Sequence, residues 1–249
     1  MNTRLRSLLL AELAWPEVQA ALENGYDTAI IPLGATEQHG PHLPAGTDTF
    51  RAEALATQLA AALDRALVAP VIPIGCSEEH RDFAGTLSLR HETLAAILVD
   101  VGDSLARQGF QRLIFLSAHG GNERALALAV EELRRARPDI IVRQPENLAE
   151  PVEVNLRSSD DAGINPTEAG IHAGEKETSE MLALRSELVN MTRAEPGYTG
   201  DMRAILPELQ TTGVRPVSPN GVLGDPRRAS AERGALYLQA VVERLAERL

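Results

Sequence analysis

An α/β fold built on a mainly parallel sheet is the architecture this sequence predicts, and three observations predict it. Short apolar, β-branched runs alternate along the chain with segments of helical periodicity. The helical segments between strands mostly reach ten residues or more, the length a parallel crossover requires. A chain of 249 residues, 44% hydrophobic, also suffices for one large core, with no composition shift to mark a second domain. Residues 1–249 therefore read as a single domain. Aromatics are only 3%, so Leu, Ala, Val and Ile must fill its interior.

In chain order, Pro16–Asn24 reads as a short helix and Thr28–Leu33 (TAIIPL) as the first buried strand. Thr49–Ala66 is Ala- and Leu-rich, and Asp48 stands before it as a helix-capping residue. Val68–Ile74 (VAPVIPI) reads as the second strand. His91–Gln108 carries Leu94, Ile97, Leu98, Val101 and Leu105 at helical spacing and is closed by Gly109. Leu113–Ser117 is the third strand and Asn122–Ala136 the next helix, with Asp139–Arg143 as the fourth strand. Thr178–Arg185 and Ser230–Leu249 have helical periodicity, whereas Glu146–Gly170 and Glu195–Asp225 read as long irregular loops. Loops of that length in a compact domain usually carry function or subunit contacts.

The charge balance narrows the partners. With 24 basic and 35 acidic residues the net charge is −11, and no basic run exceeds two residues, which argues against nucleic acid or an anionic membrane as partner. No apolar run approaches the roughly eighteen residues of a membrane span. The leading segment has too short an apolar stretch for a secretory signal, so a cytoplasmic location is expected. Cys76 is the only cysteine, so neither an intrachain disulfide nor a thiolate zinc knuckle can form.

The chemistry concentrates in Ile30–Asp48, IIPLGATEQHGPHLPAGTD. Glu37, His39, His42 and Asp48 follow a buried strand on a Gly/Pro-rich loop. In an open parallel sheet, ligands bind beyond the carboxyl ends of the strands. Glu79 and His80 follow the second strand and His119 the third, so separate connections deliver donors to one edge; His172, Glu175 and Glu177 precede a late helix. Taken singly, each has a bland reading: Glu-x-His as a solvated turn, His119-Gly-Gly-Asn122 as a tight turn or a phosphate cradle, His172 as a helix cap. Their convergence favours a site. Carboxylates and imidazoles without thiolate suit Zn²⁺, Mn²⁺ or Fe²⁺, and two such ions could polarise a carbonyl and generate hydroxide near neutral pH.

At these residues the chain resembles the creatininase (creatinine amidohydrolase) family. The matching pieces are LGATEQHGPHLPAGTD, GCSEEHRDFAGT, SAHGGNERA, HAGEKETSEML and NGVLGDPRRASAERG, in family order across nearly the whole chain. The resemblance implies a three-layer αβα sandwich, two divalent metal ions, hydrolysis of a linear or cyclic amide C–N bond, and a homohexamer. By position it implies Glu37 and His119 on one metal, His39 on the other, Asp48 bridging, and His172 as a proton shuttle with Glu177 beside it. His80 and Asn122 become candidates for substrate binding. One departure stands out: where creatininase proper carries a ligand Glu, this chain has Gly121, and Glu175 is the expected replacement. The tryptophans that close over creatinine are also missing, Trp15 being the sole Trp, so creatinine is not the expected substrate. The family also includes formamide deformylases and a mycofactocin-precursor peptidase, and the GVLGDP-like segments are similar to the latter. A small amide or short peptide is the implied substrate, with a non-catalytic metal- or ligand-binding protein as the alternative of another class.

Overall fold

The structure, a computed structural model, describes residues 5–145 and 163–249. Among them four strands form one sheet in the order β2-β1-β3-β4: β1 Thr28–Leu33, β2 Ala66–Val68, β3 Arg112–Ser117 and β4 Ile141–Arg143. Every pairing is parallel, with Ile30 opposite both Val68 and Ile114. All six side chains of β1 are buried, as expected of a strand covered on both faces.

Alternation along the strands divides the core into two. Ala29, Ile31, Leu33, Leu113 and Phe115 face one apolar cluster, where they meet α3 (His91–Gln108) and α4 (Glu123–Ala136) through Leu94, Leu98, Leu126 and Leu133. Ile30, Ile114 and Leu116 face the other, where they meet α2 (Thr47–Leu63) and the last helix through Leu55, Leu59, Leu238 and Val241. The helix α1 (Trp15–Glu23) lies on the first side. Helices thus cover both faces of the sheet, giving three αβα layers.

Three further helices complete the framework: α5 (Glu175–Arg185), α6 (Met202–Thr212) and α7 (Ala231–Arg248). Helices α5 and α7 cross closely at Gly234, where an added Cβ would lie 1.9 Å from the Ser179 carbonyl oxygen. Only glycine permits that approach, which holds α5 against the body of the domain.

Several sequence expectations are corrected. The second strand is Ala66–Val68 rather than Val68–Ile74, because Pro70 and Pro73 have no N–H to donate; pairing returns only as a single bridge between Leu33 and Ile72. Helix α2 begins at Thr47, so Asp48 is inside its first turn and Gly46 takes the cap position. Glu195–Asp225 is not wholly irregular. It contains α6, whose interior Pro207 disguises the helical pattern. Helix α5 starts at Glu175, three residues before the expected Thr178. Of the expected loop Glu146–Gly170, residues 146–162 lie outside the described residues; the rest holds a helical turn, Pro166–Ala169, capped by Asn165.

Candidate metal centre

The carboxyl ends of β1 and β3 open toward one rim of the sheet, and the site is assembled there. Past β1 the chain turns through 34–46, closed by a backbone hydrogen bond from Glu37 N to Ala45 O at 2.9 Å. That closure puts Glu37 and His39 beside the first turn of α2, which carries Asp48. Two residues beyond β3, His119 enters from the other side. From α5 and the turn before it come Glu177 and His172.

These groups converge tightly. Glu37 Oε2 lies 3.3 Å from His119 Nε2, and Glu37 Oε1 lies 3.6 Å from His172 Nδ1 and 3.5 Å from His80 Nε2. Asp48 Oδ1 lies 3.4 Å from His39 Nε2, and Asp48 Oδ2 3.6 Å from His119 Nδ1. Glu177 Oε2 lies 3.7 Å from His39 Nε2. Both oxygens of Glu37, Asp48 Oδ2 and His39 Nε2 are buried with no hydrogen-bond partner. Buried acceptors without partners are costly, and their convergence is the arrangement that a cation relieves.

Three overlapping sets could hold an ion: Glu37, Asp48 and His119; His39, Asp48 and Glu177; and Glu37, His39 and His172. Asp48 is common to the first two and is placed to span them. Neighbouring carbonyls aim the imidazoles. His119 Nε2 lies 2.8 Å from the Cys76 carbonyl oxygen, and His39 Nδ1 lies 3.2 Å from that of Glu37. An N–H donated to each carbonyl turns His119 Nδ1 toward Asp48 as a lone pair, and His39 Nε2 likewise once its own proton is lost, the support a ligating histidine needs.

The electrostatics are those of anionic groups crowded away from water. Burial, reinforced by Asp48, pushes the Glu37 carboxyl well above its usual range. Burial also opposes ionisation of Asp48, but His39, His119 and Arg51 outweigh it and hold the group below the carboxylate range. For His39 burial acts downward, yet Asp48, Glu177 and Glu37 prevail and raise it to about 9. Burial, helped by His39, lowers His172 to about 3, so this imidazole is neutral.

Two expected roles do not survive the geometry. Glu175 is fully buried but is turned away from the cluster: Oε1 accepts from Ser179 Oγ at 2.7 Å and Arg233 Nε at 2.8 Å, while Oε2 accepts from the Tyr237 hydroxyl at 3.0 Å. Its oxygens tie α5 to α7, and Glu177, two residues on, is the one that faces His39. Asn122 is likewise committed to the scaffold. It accepts from Cys76 N and donates to Gly34 O and Ser117 Oγ, so both its donors are spent on the scaffold, and the side chain is fully buried. His80 does lie at the cluster. His42 stands off it, with Nε2 2.9 Å from Thr178 Oγ1.

The structure also shows why position 121 carries no ligand. A Cβ on Gly121 would lie 2.1 Å from Cys76 O and 2.4 Å from His119 Nε2. No side chain fits there without moving His119.

Two polar residues that sequence reasoning passed over are central. Arg51 is fully buried and joins Asp48 Oδ1 (3.2 Å), Glu177 Oε1 (2.7 Å) and Glu180 Oε2 (2.5 Å). Its signal was present: Arg51, Leu55 and Leu59 share the buried stripe of α2 with Asp48. Gln38, between Glu37 and His39, lies among His80, His172 and Gly221. Nothing in its sequence position announced this. Ala173, next to His172, has φ +51°, and its N–H donates to Glu177 Oε2 at 2.7 Å. This non-glycine left-handed residue is local strain held by the site itself.

Comparison with known proteins follows the same line. The family described as "Creatininase: Creatinine amidohydrolase" matches residues 11–249. A mycofactocin precursor peptide peptidase of Mycobacterium ulcerans (strain Agy99) is 36% identical over 249 residues, covering 97% of this chain and 91% of that protein. Two creatininase structures, a manganese form and a mutant of Zn-Zn type, each cover 98% of this chain and 97% of theirs, with a TM-score of 0.78 and identities of 28% and 29%.

Proposed function

The chain belongs to the creatininase family, a hydrolase acting on C–N bonds, and from that premise we propose that it cleaves an amide bond in a short peptide or small amide with two divalent cations. The observation that carries the reading is the set of partnerless buried donors on Glu37, His39 and Asp48. Glu37, Asp48 and His119 would hold one cation and His39, Asp48 and Glu177 the other, with Asp48 between them. The donor set contains no thiolate and suits Zn²⁺, Mn²⁺ or Fe²⁺; the zinc and manganese forms of similar structures support the first two. A peptide substrate is favoured over a smaller amide by the 36% identity to a peptidase.

When bound, the cations would polarise the amide carbonyl and make water acidic enough to act near neutral pH. The protein's own residues do the rest. His172 stands beside Glu37 at the rim of the cluster, so it is placed to take the proton released by the attacking water and to return it to the leaving nitrogen. Glu177 is fixed from both ends, by Arg51 at Oε1 and by Ala173 N at Oε2, and keeps its orientation toward His39 throughout. His80 lies against Glu37 and is placed to meet the substrate or orient that carboxylate.

The test is metal analysis with amide hydrolysis in the wild type and in Asp48→Ala. Loss of both bound metal and activity is expected. Equal activity without bound metal would discard the proposal. A family-like homohexamer is part of the same reading, and sedimentation showing a stable monomer at micromolar concentration would contradict it. No described helix is long and apolar enough to cross a membrane.

A further inference from the structure

We propose that Gln38 is the positioning residue of this site: its backbone carbonyl fixes which nitrogen of His172 carries hydrogen, and its side chain does the same for His80 and ties that ring to the loop at Gly221. The inference rests on the amidohydrolase reading for its catalytic meaning, though not for its geometry.

Gln38 is 8% exposed, and its contacts leave one self-consistent proton arrangement. Its Nε2 lies 2.8 Å from His80 Nδ1, 2.9 Å from His172 Nε2 and 3.1 Å from Gly221 O. Its own backbone carbonyl oxygen lies 2.7 Å from the same His172 Nε2. A carbonyl can only accept, so His172 Nε2 must bear the hydrogen; otherwise two lone pairs would face each other. With that hydrogen directed at the carbonyl, His172 Nε2 cannot accept from the Gln38 amide, and the 2.9 Å between those two nitrogens is a close contact of two donors, not a hydrogen bond. The two amide hydrogens then go to His80 Nδ1 and Gly221 O, and Gln38 Oε1 accepts from Gly40 N at 2.8 Å. The flipped amide fails on two counts, since it would set an oxygen against the Gly221 carbonyl and an NH₂ against the Gly40 N–H.

The consequence is that two histidines on one carboxylate are made chemically different. His172 presents the lone pair of Nδ1 toward Glu37, 3.6 Å away, with its ring 4.2 Å from that of His39. His80, whose Nδ1 accepts from Gln38, presents Nε2–H toward the same carboxylate at 3.5 Å. One ring is thereby an acceptor for the proton of the attacking water, and the other turns an N–H toward Glu37. Gly221 completes the clasp: its φ is +83°, and a Cβ there would lie 2.0 Å from Gln38 Oε1.

The test compares the zinc-loaded wild type with Gln38→Glu and Gln38→Leu, using long-range ¹⁵N–¹H spectra of the histidine rings alongside kcat and KM. In the wild type, His172 and His80 should both be Nε2–H tautomers. Gln38→Glu offers His80 Nδ1 an acceptor and should convert it to the Nδ1–H tautomer. Both variants should lose roughly 10–100-fold in kcat, the usual effect of removing a group that orients a ligand shell, while KM moves far less. A wild-type His172 found as Nδ1–H would overturn the proposal even if Gln38→Leu failed to fold. Unchanged tautomers with kcat within about twofold in the isosteric Gln38→Glu would overturn it too. A wild type that binds zinc but cleaves no amide would instead defeat the hydrolase reading and leave the tautomer result standing by itself.

Discussion

Removing the charge of Arg51 gives the sharpest test of how the site is held. Its side chain is 1% exposed and contacts Glu180, Glu177, Asp48 and the Ala118 carbonyl, so Arg51→Met strips a buried cation from three carboxylates at once. Burial disfavours a charged guanidinium, yet Glu180, Glu177 and Asp48 hold it firmly protonated. Breaking a buried ion pair from one side costs about 3–5 kcal/mol. For 249 residues, an unfolding entropy of roughly 2.1 cal/mol/K per residue is about 0.5 kcal/mol per kelvin, so the melting midpoint should fall by about 6–10 °C. The assay is thermal and urea unfolding of metal-free protein, repeated after zinc addition. Zinc should recover part of the loss, because cations at Asp48 and Glu177 replace some of the missing charge, while Glu180 still lacks its guanidinium partner. Arg51→Lys should behave as an intermediate, since an ammonium cannot reproduce the fork. A loss under about 1 kcal/mol in the metal-free state would mean that Arg51 does not hold these carboxylates together.

Three other outcomes are expected. Gly121→Ala forces a Cβ onto Cys76 O and His119 Nε2, so it should lower bound metal, read by atomic emission, and cost about 1–3 kcal/mol of stability. Glu175→Gln should weaken the α5–α7 contact by about 1–3 kcal/mol in urea while leaving zinc affinity unchanged, because its partners are Ser179, Arg233 and Tyr237. In the metal-free protein His39 titrates near 9 against an ordinary 6.5, so its imidazolium stabilises the fold fully below pH 6.5 and no longer does so above 9. Zinc must displace that proton. Calorimetry in buffers of different ionisation heat should therefore show proton release, and zinc affinity should rise by up to about tenfold per pH unit across the window.

Much of the architecture was legible because its causes are local. β1 announces itself as six consecutive residues able to bury both faces, and α3 and α4 by apolar residues recurring at helical spacing. Where local causes conflicted, the reading slipped. Pro70 and Pro73 cut short an apolar run that looked like a full strand, and Pro207 hid a helix that tertiary packing sustains through Ile205 and Leu209. The convergence of Glu37, His39, His119 and His172 was legible as well, since they sit where strands or turns end at one rim. The family resemblance added the order of the segments.

What tertiary structure alone decided is direction. Glu175 and Glu177 stand two apart on one helix, so they point to different sides: one meets Arg233 and Tyr237 on α7, the other meets His39 and Arg51. No pattern in HAGEKETS separates them, because the distinction depends on which neighbour each face encounters. The same holds for Gln38, whose partners lie 42, 134 and 183 residues away. The order of residues alone says which groups could be offered to a cation. The fold decided which lone pairs face one another, because a hydrogen bond is set by distance and angle, and those exist only once the chain has closed.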